Sequence, residues 1–249
     1  MSITSEADWA GLRAVARVVR LTLERLAAEV HPGITTGELD RIATEVLTTH
    51  GAHSAPAIVY GFPGAVLISV NDEIVHGIPG KRRLADGDVV SLDVTLEKGG
   101  YVADAARTVI VGSGHAEARR LVRCAESAFH EALQEARAGN RVNQIGRAVE
   151  REVRRQGFTV VEGLSGHGVG RTIHEQPDVP NWYDASQRDV LTEGLVLTIE
   201  PMISAGTAKV VKSRDGWTLR TKDGSLASHH EHTLVITSGD PIVLTGEAA

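Results

Sequence analysis

Apolar residues recur through positions 5–30 at Trp9, Leu12, Val15, Val18, Val19, Leu23 and Leu26, a stripe of helical period. Ser5 or Thr4 can cap this helix, and His31-Pro32-Gly33 ends it. Thr35-x-x-Glu38 is a capping-box pattern, and the helix it opens runs through Leu39, Ile42, Val46 and Leu47 to Gly51. The period then changes. Segments 65–70, 88–96 and 101–111 alternate and are β-branched, which predicts strands. Helices are predicted again at 115–137 and 143–156, and strands at 159–162, 195–200 and 231–237.

The pattern repeats weakly. Gly33 and Gly51 bracket the second helix, Gly139 and Gly157 bracket the fourth, and both pairs are offset by 106. Leu39, Ala43 and Leu47 fall on Ile145, Val149 and Val153 at the same offset. With the helix–helix–strand order recurring, two related halves are expected to build one α+β domain spanning residues 1–249. No Gly/Ser- or Pro-rich linker divides the chain.

Composition narrows the function. Lys and Arg number 26 against 32 Asp and Glu, a net charge of −6 that argues against nucleic-acid binding. No apolar run approaches the roughly 18 residues of a membrane span. The opening MSITSEADWAGL is acidic and polar where a secretory signal needs a basic start and an apolar stretch. A single cysteine, Cys124, rules out an intramolecular disulfide and reads as a small core residue. A soluble cytoplasmic protein of enzyme size is expected.

Acids on strands are the first candidate chemistry. In DVVSLDVTLEK, Val90, Leu92, Val94 and Leu96 share one face, and Ser91, Asp93 and Thr95 share the other. If the following turn centres between Lys98 and Gly99, Asp93 and Asp104 become direct cross-strand partners with Cβ atoms roughly 4.5–5.5 Å apart. Two carboxylates so placed require a shared proton or a cation. A turn centred on Gly99-Gly100 would shift this register, and two solvated acids are the bland alternative.

Three further pieces join them. His167 and His174 lie in SGHGVGRTIHEQP, read as a glycine-rich loop in which backbone can approach a ligand closely. Glu200 ends the apolar LVLTIEP, and Glu231 begins the apolar EHTLVI. Acids at the ends of buried strands are almost never left unpaired. His229, His230 and His232 look like a metal tract, but alternation sets His230 and His232 opposite Glu231 and they are not recruited. Two Asp and two Glu sum to −4, which two divalent cations neutralise, with His167 as a neutral nitrogen donor. Such a set suits a hard or borderline metal such as Mn, Fe or Co, and a carboxylate-bridged pair suits hydrolysis.

SVNDEIVHGIP (69–79), GDVVSLDVTLEKGGYVADAARTVIVG (87–112), SGHGVGRTIHE (165–175), LTIEPM (197–202) and DGWTLRTKDGSLASHHEHTLVIT (215–237) resemble type I methionine aminopeptidases, in order and over nearly the whole chain. The resemblance implies a pita-bread fold, with two pseudo-symmetric αβ halves around a curved, mainly antiparallel sheet. It implies removal of initiator methionine from nascent chains whose second residue is small. Asp93, Asp104, His167, Glu200 and Glu231 match the ligands of two divalent ions per subunit (Co, Mn, Fe or Zn). His76 matches a histidine contacting substrate near the scissile amide, and His174 one that hydrogen-bonds the scissile carbonyl. Glu200 matches the general base. Phe62 and Trp217 match aromatic positions of the methionine pocket, with ordinary core as their alternative.

The chain departs from the pattern around the substrate. A histidine is common near Tyr60, a small residue or cysteine near Leu67, an aromatic at Ile173, and hydroxyl residues where Ala105-Ala106-Arg107 follow Asp104. These changes bear on specificity. The chain resembles the short bacterial form, expected to be a cytoplasmic monomer with no membrane or nucleic-acid partner. Lys81-Arg82-Arg83 reads as a solvated loop, with transient ribosome contact as its alternative. Two other readings stand beside a dimetal methionine aminopeptidase: a proline-directed relative and a non-catalytic binding relative.

Overall fold

A computed structural model describes residues 1–246. Its first helix, α1 (Glu6–Glu29), is capped by Ser5, whose hydroxyl accepts from the Asp8 N–H. Helix α2 (Thr36–His50) opens on the reciprocal Thr35–Glu38 capping box and closes on Gly51 in the left-handed region. Six residues form α3 (Ala55–Tyr60), capped by Ser54. That helix is unexpected from the pattern, because fewer than two turns display no period. Helices α4 (Ala116–Leu133) and α5 (Val142–Arg155) complete the set, α4 stopping one turn before the predicted end.

The strands are β1 (His53–Ser54), β2 (Leu67–Val70), β3 (Glu73–Val75), β4 (Val89–Lys98), β5 (Tyr101–Ile110), β6 (Thr159–Val160), β7 (Ser165–Gly168) and β8 (Glu175–Pro180). They continue as β9 (Val196–Ile199), β10 (Met202–Ser204), β11 (Val210–Lys212), β12 (Leu219–Thr221), β13 (Ala227–His229), β14 (Glu231–Val235) and β15 (Ile242–Val243). One large antiparallel sheet runs β1-β4-β5-β14-β9-β7-β8, with β2 on β4 and β15 on β14. Two three-stranded sheets, β13-β10-β6 and β11-β12-β3, flank it. Mixed helices and antiparallel strands agree with the expected α+β pita-bread architecture.

Two apolar cores explain the repeat. Helices α1 and α2 bury Leu12, Val19, Leu26 and Leu39 against Leu92 and Leu96 of β4. Helices α4 and α5 bury Leu121, Phe129, Ile145 and Val149 against Leu197 of β9 and Leu234 of β14. Each helix pair therefore covers its own part of one sheet. The parts meet where β14 pairs β5, over Glu231↔Ala106 and His232↔Ala105. Cys124 lies in the second core, where burial pushes its thiol up to about 12 and leaves it inert at neutral pH.

The hairpin corrects one expectation. Its turn is Gly99-Gly100, with φ 61° and 81°, closed by Lys98↔Tyr101. Two left-handed positions suit a two-residue primed turn, and glycine takes both without a Cβ penalty. The alternative turn centre would place Lys98 at such a position. Asp93 therefore faces Ala106, and Asp104 faces Thr95. The two acids are diagonal neighbours on one face, still within side-chain reach.

The glycine-rich segment is a second correction, since Ser165–Gly168 and Glu175–Pro180 are paired strands. Glycine there serves close approach: a Cβ at Gly166 would stand 2.6 Å from the Thr198 carbonyl oxygen, and one at Gly168 2.2 Å from that of Gln176. The basic triplet is a surface loop, Arg82 pairing with Glu73 and Arg83 donating to the Gly33 carbonyl. No helix among the described residues is long and apolar enough to cross a membrane.

Candidate metal centre

The four middle strands of the large sheet each bring one acid. Asp93 stands on β4, Asp104 on β5, Glu231 at the start of β14, and Glu200 directly after β9. With His167 on β7 they line one cavity of about 310 Å³. Glu231 is 2% exposed, Asp104 6% and Glu200 8%.

Threonines on the same strands hold these groups. Thr95 Oγ1 donates to Asp104 Oδ1 at 2.9 Å, and Thr198 Oγ1 donates to Glu200 Oε1 at 2.9 Å. Thr198 also accepts the His167 backbone N–H at 3.1 Å, so one hydroxyl ties Glu200 to the main chain that carries His167. Thr233 accepts the Asp104 N–H and donates to the Asp104 carbonyl, locking β5 to β14 beside the site.

Burial is the main force on every acid. It raises Asp104 to about 6 against the opposing hydrogen bond from Thr95. Burial, and then the neighbouring acids, push Asp93, Glu200 and Glu231 well above the ordinary carboxylate range. Four such groups cannot all ionise in one dry cavity without compensating positive charge.

The imidazole is prepared as a donor. His167 Nδ1 lies 3.0 Å from the Gly168 carbonyl, which can only accept, so the proton sits on Nδ1. Its Nε2 lone pair then faces the acids, 3.5 Å from Glu200 Oε1. Burial lowers the ring to about 4, keeping it neutral at physiological pH.

His229 is the site residue that sequence reasoning missed. Its Nε2 lies 3.7 Å from Glu200 Oε2 and 3.7 Å from Glu231 Oε2, and the residue is 1% exposed. Its spacing, two positions before Glu231, is the one signal in the sequence, although the two residues end and begin strands of different sheets. His230 and His232 do point elsewhere, packing against Phe129 of the second core.

Both ring nitrogens of His229, Asp93 Oδ1 and Glu231 Oε1 are buried without a hydrogen-bond partner. Buried polar atoms are nearly always paired, so a cluster of orphans marks a place for something else. Donor atoms of Asp104, His167 and Glu231 lie within 4.8 Å of one another, and so do those of Glu200, His229 and Glu231. These are two cation-sized arrangements sharing Glu231. The residues present fit a metal centre.

Aromatic and aliphatic side chains line the rest of the cavity. Phe62 and Trp217 meet edge to face, ring centroids 5.2 Å apart, and Leu67, Ile173 and Met202 complete an apolar wall. Both aromatics line the cavity as well as packing on each other. His76 stands at the rim with a left-handed φ of 61°, unusual for a non-glycine residue and typical of functional positions. The chain beside it is held tightly, since a Cβ at Gly77 would lie 2.1 Å from the Ile68 carbonyl oxygen. His174 also lines the cavity, and its Nδ1 lies 2.6 Å from Tyr60 Oη.

Comparisons with known proteins give the family. Residues 10–238 match metallopeptidase family M24. The chain is 44% identical to methionine aminopeptidase 2 of Bacillus subtilis over 98% of its length and 99% of that protein's. It is 42% identical to a methionine aminopeptidase of Clostridium perfringens, covering 94% of each chain. The crystal structure of methionine aminopeptidase from Rickettsia prowazekii superposes with a TM-score of 0.95 at 33% identity, covering 99% of this chain and 100% of that one. The match spans both helix pairs and every strand that carries an acid, and the chain belongs to metallopeptidase family M24.

Proposed function

We propose that this chain is a cytoplasmic methionine aminopeptidase, residues 1–249 acting as one catalytic unit, that removes initiator methionine from nascent chains when the next residue is small. The observation that carries the reading is the convergence of four buried acids and a proton-free His167 nitrogen beside an aromatic-walled apolar cavity. Asp93, Asp104, His167, Glu200 and Glu231 would hold two divalent ions. Bound there, the ions neutralise the acids and supply Lewis acidity for amide hydrolysis.

The protein's own groups do the rest. Glu200, held by Thr198, accepts the proton of the attacking water as general base. His174 donates a hydrogen bond to the scissile carbonyl oxygen as negative charge grows there. His76, at the rim, contacts the substrate beside the scissile amide. Phe62 and Trp217 flank the methionine side chain, whose sulfur gains about 0.3–1.5 kcal/mol from aromatic contact. Leu67 and Ile173 shape the ends of that pocket. The enzyme acts as a monomer on polypeptide N-termini, without nucleic acid or membrane.

Purified protein supplied with Mn or Co should cleave Met-Ala well, Leu-Ala poorly and Ala-Pro not at all. Faster cleavage of Ala-Pro than of Met-Ala would identify a proline-directed enzyme. No cleavage of any peptide with metal bound would identify a binding protein.

A further inference from the structure

The ring of His174 has a single hydrogen-bond partner among the described residues, the phenol of Tyr60. We propose that Tyr60 is a positioning residue that sets the tautomer of His174, its O–H donating to Nδ1 so that the imidazole proton resides on Nε2. The inference rests on the role for His174 given above, and it assigns to Tyr60 the task of making that role possible.

The geometry favours this direction of donation. The Oη–Nδ1 separation of 2.6 Å falls in the range of O–H donors and is short of the roughly 2.9–3.0 Å usual for N–H donors. A neutral imidazole has one N–H, so a ring that accepts at Nδ1 must carry its proton at Nε2. Only that tautomer offers a free N–H to an oxygen in the cavity; the other would present a lone pair and repel it. Partial burial raises the phenol, which keeps its proton at neutral pH.

Both partners are anchored. Tyr60 is the last residue of α3, a helix fixed by the Ser54 cap at one end and by Gly61 at φ 72° at the other. The ring centroids of Tyr60 and His174 lie 5.8 Å apart. On the other side, the Glu175 carboxylate accepts the N–H groups of Arg171 at 2.7 Å and Thr172 at 2.8 Å. That holds the backbone of the loop, and the ring itself packs edge to face on His167 with centroids 4.3 Å apart; neither contact chooses which ring nitrogen carries the proton, and the Tyr60 hydrogen bond does. The tyrosine thus supplies locally what the loop does not.

The test uses the zinc-loaded enzyme, which is diamagnetic, labelled with ¹⁵N-histidine. The His174 signals are assigned by their loss in His174→Gln. The expected result is an Nε2-protonated ring with an accepting Nδ1 in the wild type, and a mixed population in Tyr60→Phe. Tyr60→Phe should also lower kcat about 2- to 10-fold, the scale of one neutral hydrogen bond, with KM and metal stoichiometry unchanged. An Nδ1-protonated His174 in the wild type overturns the proposal without need of any variant. So does a Tyr60→Phe protein with unchanged tautomer and kcat. Wild-type kcat in His174→Ala would instead remove the oxyanion role itself, separating failure of that reading from failure of this one.

Discussion

Replacing Asp104 by Asn should make the metal-free protein more stable while destroying its activity. The buried carboxyl stands at about 6 against an ordinary value of 3.8. The fold therefore binds this proton more tightly than the unfolded chain does. Its contribution to stability is intact below the unfolded value and declines as pH rises through 6. At pH 8 the difference amounts to about 3 kcal/mol against folding, and at pH 4.5 the same linkage leaves about 1 kcal/mol. Asparagine keeps the shape and has no proton to lose, so it relieves this penalty. For a chain of this size the relief corresponds to a Tm rise of at most about 6–12 °C at pH 8 and roughly a third of that at pH 4.5. Scanning calorimetry on metal-free wild type and Asp104→Asn at both pH values measures it. Adding Mn should stabilise the wild type strongly and the variant little, and Met-Ala hydrolysis by the variant should fall to background. An Asp104→Asn protein less stable than wild type at pH 8 without metal, or fully active with it, would refute the reasoning.

Other outcomes are expected from the same geometry. His174→Ala should lower kcat roughly 10²- to 10³-fold, the scale of one oxyanion donor, with metal stoichiometry by elemental analysis unchanged. In a peptide panel Met should lead norleucine and leucine by roughly 10- to 200-fold in kcat/KM, with Gly, Ala or Ser preferred second; a leading rate for Leu would contradict the pocket assignment. Gly168→Ala should fail to accumulate as folded protein in a solubility and circular dichroism assay, because its Cβ would meet the Gln176 carbonyl oxygen at 2.2 Å. Wild-type yield and Tm for that variant would show that β7 and β8 can part.

Much of this architecture was legible where a period runs long enough to be read. Helices α1, α2, α4 and α5 and the β4–β5 hairpin each span ten residues or more, and their apolar faces announce them. Strands β3, β6, β7 and β10–β13 are two to four residues long. Their pairing is decided by distant partners, so no local pattern records it. The run from Ser165 to Gly168 misled for a related reason: glycine weakens a strand in isolation, yet here it lets backbones close on each other. The hairpin register turned on which two of Lys98, Gly99 and Gly100 form the turn. Glu200 and Glu231 were legible because acids at the ends of apolar strands are costly, and Asp93 and Asp104 because they share one face of a hairpin; the structure gathers them with His167 into one cavity. His229 is hard to read from the sequence because it ends β13 while Glu231 begins β14 of another sheet, so no single strand's alternation joins them.

The seam between the halves has a historical consequence. Asp93 and Asp104 come from one half and Glu200 and Glu231 from the other, each pair from neighbouring strands of the large sheet. Neither half alone could gather more than two of the four acids. A half-length ancestor would have completed the centre only by associating with a second copy of itself about a twofold axis. Fusion of the copies would then have freed each to diverge, and His167 and His229, imidazoles that the second half alone brings to the acids, are such divergences.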